Sequence, residues 1–236
     1  VLFRSGITYP EIYEMQIRAV FEAAAELSKQ KVSAFPQIMI PQVGSVAELN
    51  HIKSIYNKVK SEVETKYGLK LNINFGTMLE VVRGCLTSHE LASTAEFFSF
   101  GTNDLTQAVF SFSREDAEGK FLPEYLEKEV LERNPFQTLD VNGVGSLVKI
   151  AIANGKSVKP GIEVGVCGEH GGDPNSIKFF HGAGVSYVSA SPHRIPIAIV
   201  SAAQAKILGS AIKQPKKNNS KSKKRLIKSK KKSRRR

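Results

Sequence analysis

Apolar positions along the chain fall into two alternating rhythms. Behind Tyr9-Pro10-Glu11, residues Ile12, Met15, Ala19, Ala23 and Leu27 recur every three or four positions. This predicts a helix over about 9–30 with proline in its first turn. Phe35-Pro36-Gln37-Ile38-Met39-Ile40-Pro41 is a short apolar run between prolines and reads as a buried strand. Ser45 with Glu48 three residues on is a capping box, opening a helix to about residue 66. A strand over 71–75 follows, with Gly76-Thr77-Met78-Leu79-Glu80 as its loop. A short helix near 88–95 leads to an apolar strand at 97–100. Residues 111–140 carry no clear period apart from an amphipathic segment at 124–132. Beyond them the pattern predicts a helix over 144–154 ended by Gly155, a strand at 162–166, a helix at 174–182, a strand at 185–189 and a last helix from Pro192 to about 208.

Strand and helix therefore alternate, and the strands are nearly continuous apolar runs. That combination predicts an α/β fold with a parallel sheet covered on both faces. Polar residues cluster just after the strands, as on the catalytic rim of a (β/α)₈ TIM barrel. Only about five strands are visible, so the expectation is a partial barrel, its C-terminal strands and helices. No strand is followed by G-x-G-x-x-G or a Walker pattern.

Composition changes this picture mainly at the ends. The net charge of +12 belongs to the C-terminus: from Lys213 onward there are 14 basic and no acidic residues, leaving 20 basic against 22 acidic before it. Residues 211–236 are expected to be a disordered Lys/Arg-rich tail, because so few apolar side chains cannot offset the cost of ordering. Such a tail attracts anionic partners, but without interleaved aromatic residues it is a poor candidate for nucleic acid. Residues 1–5 show no cap or period and are read as a leader outside the folded unit, which is placed at 6–210. Cys85 and Cys167 lie far apart without a CxxC pair, which argues against a disulfide framework or a zinc site. No apolar run reaches the roughly 20 residues of a membrane span, so a soluble, cytoplasmic protein is expected.

Three segments after strands carry the candidate chemistry. In Gly76–Glu80 a carboxylate can bind a metal or move a proton. In Ser99-Phe100-Gly101-Thr102-Asn103-Asp104-Leu105-Thr106-Gln107 a tight loop offers an amide beside a carboxylate, suited to holding a metal and orienting an oxyanion. In Gly165-Val166-Cys167-Gly168-Glu169-His170-Gly171-Gly172 a cysteine hemmed by glycines reads as exposed and reactive.

Together these segments resemble the phosphoenolpyruvate-utilising barrel domain of the pyruvate phosphate dikinase family, whose relatives include phosphoenolpyruvate synthase. Gly6-Ile7-Thr8-Tyr9-Pro10-Glu11-Ile12, Lys120-Phe121-Leu122-Pro123 and Ser189-Ala190-Ser191-Pro192-His193-Arg194 agree with it, and the likeness runs over about 6–207. The segment containing Phe121-Leu122-Pro123 and Asn134-Pro135-Phe136 looks like the dikinase rather than its relatives. The resemblance implies Glu80 and Asp104 as Mg²⁺ ligands. It implies Gly101, Thr102, Asn103 and Gly165 beside pyruvate or phosphoenolpyruvate, Arg114 on a phosphate, and Cys167 as the acid that protonates the enolate methylene. His170 is implied to be structural, the phosphorylated histidine of the family lying in a separate domain.

The resemblance also implies ATP-binding and phosphohistidine domains, earlier barrel strands bearing arginine clamps, a homodimeric parent enzyme, and in some relatives an organelle. The chain departs from the family where Leu2-Phe3-Arg4-Ser5 stands in place of Arg-Gly-Cys-Arg-Leu. The piece is therefore expected to keep the metal-site residues without the turnover. A synthase-type enzyme and a non-catalytic module with a basic tail are the alternative readings.

Overall fold

The computed structural model describes residues 2–213. The tail expected from 211 lies, from residue 214 on, outside the described residues. Chain order is α1 (Leu2–Thr8), α2 (Pro10–Lys29), β1 (Gln37–Ile40), α3 (Val46–Tyr67), β2 (Asn74–Leu79), α4 (Val82–Leu86), α5 (Ser88–Ala92), β3 (Phe97–Gly101), α6 (Thr102–Phe110), α7 (Arg114–Asp116), α8 (Leu122–Glu127), α9 (Val144–Val158), β4 (Glu163–Cys167), α10 (Pro174–Ala183), β5 (Tyr187–Val188) and α11 (Ile195–Lys213). A π-helical turn, Ala117–Phe121, joins α7 to α8, and a 3₁₀ turn, Glu169–Gly172, follows β4.

All five strands are parallel and pair in chain order, β1-β2-β3-β4-β5. Register divides the sheet into two unlike faces. One carries Ile38 and Ile40, then Phe75, Thr77 and Leu79, then Phe98 and Phe100, then Val164 and Val166. Its apolar members join Phe21, Tyr56, Val59, Leu147 and Ala151 of the helices in the main core. Burial of this apolar surface is the dominant favourable contribution to the fold. The other face carries Met39, Gly76, Met78, Ser99, Gly165 and Tyr187, of which Met39 is 37% and Tyr187 36% exposed. The expectation of a sheet covered on both faces is thus corrected. Only one face is an apolar helix-packed layer, and the short strands are too apolar overall to show the alternation.

Local boundaries follow physical causes. The Ser45–Glu48 capping box is present, and Gly68 ends α3 in the left-handed region at φ 65°. Leu2–Thr8 is helical although no period marked it, and Pro10 then opens a new helix as its first residue. Phe35, expected in a buried strand, is 87% exposed. Gly76, expected in a loop, lies inside β2, because β2 and β3 approach so closely there that a Cβ would stand 2.6 Å from the Phe97 carbonyl oxygen. Gly155, expected to end a helix, lies within α9, where a Cβ would be 2.7 Å from the Phe98 ring. Both glycines serve close packing rather than chain reversal. The segment 111–140 is built of short helices over a satellite core of Ala117, Leu122 and Phe136. Among the described residues no helix is long and apolar enough to cross a membrane.

Gly76→Ala forces either β2 from β3 or the Phe97 ring from its place. The expected loss is about 1–3 kcal/mol, the usual cost of overpacking a filled interior, read as a lowered urea midpoint at unchanged slope.

Candidate active site at the C-terminal strand ends

Parallel register brings the three candidate segments to one edge of the sheet. Leu79 pairs with Phe100, so Glu80 emerges beside Gly101, while Gly101 pairs with Cys167. A Cβ at Gly101 would overlap Glu80 Oε2 and stand 2.7 Å from Met78 Sδ. The glycine is required for the approach of the carboxylate. Asn103 and Asp104, expected in a tight loop, instead occupy the first turn of α6, where the helix dipole favours an acidic side chain. Glu80 and Asp104 open with Gln42, Met78 and Gln107 onto one broad cleft.

Glu80 is 6% exposed. Its Oε1 accepts the Gln42 N–H at 2.7 Å, Gln42 Nε2 donates to Asp104 Oδ2 at 2.7 Å, and Gln107 Nε2 donates to Asp104 Oδ1 at 3.0 Å. Burial pushes Glu80 up to about 7; the Gln42 N–H opposes this, while repulsion from Asp104 and a hydrogen bond shared with it add to it. Two carboxylates crowded together hold a proton or a cation between them. The donor set is oxygen only, and two carboxylates suit Mg²⁺, which completes its shell from water and substrate. Among the described residues no group of three or more His, Cys, Asp or Glu forms a fuller metal cage.

Across the cleft edge Cys167 is exposed, whereas Cys85 is buried and inert, its thiol pushed up to about 12 by burial. Gly168, at φ 124°, allows the turn after β4 to lie against α6: a Cβ there would be 2.7 Å from Thr102 Oγ1. Thr102 Oγ1 approaches the Cys167 carbonyl at 3.3 Å, and Asn103 Oδ1 accepts the Glu169 N–H at 3.3 Å. His170 is wholly buried.

Arg114 stands apart. Its backbone N–H donates to Gln107 Oε1 at 2.9 Å, but its guanidinium pairs with Glu118 at 3.0 Å and lies 5.7 Å from the Phe136 ring centre. It is joined to the carboxylates through Gln107 and does not line their cleft. Two residues of the site escaped the sequence reading. Gln42, at φ 55°, bridges both carboxylates; its only signal is a polar residue two positions after β1. Tyr187 pairs with Gly165 in register and packs over it where a Cβ would collide with the ring. A glycine inside a strand is the mark of such an approach.

Two outcomes follow. One thiol per chain should react rapidly with Ellman's reagent in native buffer and two in denaturant, Cys167→Ser removing the fast one. For Glu80, the folded chain holds the proton more tightly than the unfolded chain, whose carboxyl titrates near its ordinary 4.5. Without divalent cations the carboxyl therefore costs nothing below about 4.5, and stability is lost as pH rises through about 7, by about 3 kcal/mol at most. Glu80→Gln should gain stability relative to the unsubstituted chain over that window. A pH-independent difference in denaturation midpoints would contradict the shift.

The family described as "PEP-utilising enzyme, PEP-binding domain" matches residues 3–207. Pyruvate, phosphate dikinase of Entamoeba histolytica is 52% identical over 205 residues, 86% of this chain and 23% of that protein. The chloroplastic pyruvate, phosphate dikinase of Mesembryanthemum crystallinum is 52% identical over 201 residues, 85% of this chain and 21% of that protein. The chain thus spans less than a quarter of the length of these relatives. In fold it resembles a citrate lyase from Burkholderia xenovorans, with a TM-score of 0.55 at 14% identity over 87% of this chain and 62% of that one. By the match over 3–207, the chain belongs to the PEP-binding domain family of PEP-utilising enzymes.

Proposed function

We propose that the chain is the phosphoenolpyruvate- and pyruvate-binding part of a pyruvate phosphate dikinase, the C-terminal portion of a (β/α)₈ barrel. The parent reaction interconverts ATP, phosphate and pyruvate with AMP, diphosphate and phosphoenolpyruvate through a phosphohistidine on another domain. The observation that carries this reading is the pair Glu80 and Asp104, crowded at the strand ends with Cys167 at the neighbouring edge. In support of the partial barrel, the strands run parallel in chain order, the non-helical face bears the small and polar residues expected of a barrel interior, and Ile197, Ile199 and Ile207 of α11 are exposed.

In this reading Glu80 and Asp104 hold Mg²⁺, which would offset charge developing on the substrate's oxygens. Thr102, Asn103 and the Gly101 and Gly165 backbones border the substrate, and Gln42 keeps the two carboxylates in place. Cys167 gives its thiol proton to the methylene carbon when pyruvate forms, leaving a thiolate that takes a proton back in the reverse direction. Arg114 receives a phosphate oxygen by exchanging Glu118 for it. Full turnover requires the rest of the parent enzyme, since this chain spans less than a quarter of the dikinases it matches.

The test is calorimetric titration of pyruvate, and of oxalate as an enolate mimic, into the purified chain with and without Mg²⁺. Binding should require Mg²⁺ and fall at least about tenfold in Glu80→Gln and in Asp104→Asn, each removing a charged ligand. Equal binding without the cation, or none with it, would overturn the reading.

A further inference from the structure

Apart from Arg114, the segment 111–140 is not used by the chemistry above, yet its far arm reaches the site through one side chain. His170 lies between Pro135 and Thr102 with no exposed surface. Its Nε2 is 2.8 Å from the Pro135 carbonyl oxygen and its Nδ1 2.8 Å from Thr102 Oγ1. A carbonyl only accepts, so Nε2 must carry a proton. Burial holds the ring's pKa down, against the nearby charges of Asp173 and Glu169 and with that of Arg114. A neutral ring protonated at Nε2 leaves Nδ1 as an acceptor, which the Thr102 hydroxyl fills with its single proton.

The two bonds join three pieces of chain. Thr102 opens α6; its Oγ1 lies 3.3 Å from the Cys167 carbonyl oxygen and fills the space that a Cβ at Gly168 would need. Pro135 belongs to a turn fixed from outside: Asn134 Oδ1 accepts the Phe136 N–H at 2.8 Å, and Asn134 Nδ2 donates at 2.9 Å to Glu118, which also receives Arg114. Hydrogen bonds thus run from the Asn134 turn through His170 to Thr102, whose Oγ1 packs 3.3 Å from the carbonyl oxygen of the reactive cysteine.

We propose that His170 is a positioning residue for Cys167: a neutral, Nε2-protonated imidazole that pins the Cys167–Gly168 turn through Thr102 and ties it to the Asn134-Pro135-Phe136 turn. The segment 111–140 thereby sets how far the thiol projects into the site. Its relevance to catalysis rests on reading Cys167 as the proton donor, but its test requires no substrate.

The experiment measures alkylation of Cys167 by iodoacetamide at one pH, followed by intact mass, with protection of Cys85 reporting that the fold persists. His170→Gln keeps a donor toward Pro135 and loses the acceptor for Thr102; His170→Asn does the reverse. Each should raise the Cys167 rate about fivefold, the worth of one ordinary net hydrogen bond. Asn134→Ala, a change at a half-buried side chain that does not touch His170, should raise it in the same direction and serves if either histidine variant exposes Cys85. Nitrogen-15 NMR of the unsubstituted chain should show the Nε2–H tautomer at neutral pH. An unchanged or lower rate in Asn134→Ala, or an imidazolium or Nδ1–H form at neutral pH, would overturn the proposal. Failure of pyruvate to bind would overturn the functional reading and leave this one standing.

Discussion

The arrangement at the strand ends depends on one close approach, the Glu80 carboxylate laid against Gly101. Parallel register makes it unavoidable: with Leu79 opposite Phe100, the next residue of one strand must pass the next residue of the other. Any side chain at 101 would occupy the space of the carboxylate. A carboxyl so placed is costly when charged and unpaired. The structure meets that cost with the Gln42 N–H and with a raised proton affinity, to which repulsion from Asp104 adds. The strained left-handed backbone of Gln42 is explained by the same need, since both its amide and its side chain turn toward the pair.

From this point the sequence was legible in some respects and not in others. The three post-strand clusters were visible because polar residues directly after apolar runs have few other uses, and register alone brought them together. Glycines misled. Composition cannot distinguish a glycine chosen for φ from one chosen for lack of a side chain, so Gly76 and Gly155 look like a loop and a stop in the sequence although both are packing positions. Asn103-Asp104 looks like a tight loop in the sequence because the same residue types serve turns and helix starts alike. Gln42 and Tyr187 carry no motif. Their roles come from a backbone conformation and a cross-strand partner, neither of which a single sequence displays.

The two-faced sheet has a related cause. A parallel strand with one face against helices and the other lined by small residues has few charged positions, and over four or five residues it reads as wholly apolar. Ser99 and Gly165 reveal the second face only once register sets them beside Met78 and Tyr187.

Arg114 shows how a surface pair can coexist with a functional assignment. Its guanidinium and the Glu118 carboxylate are each about a third exposed, 35% and 33%, and such pairs contribute little net stability. Exchanging Glu118 for a phosphate oxygen would therefore cost little, while a phosphate offers charge and geometry that suit a guanidinium better. Glu118 would keep Asn134 as a partner after the exchange. The backbone of Arg114 is meanwhile held by Gln107, which also holds Asp104. The side chain is thus free to change partners on a main chain anchored to the carboxylate pair.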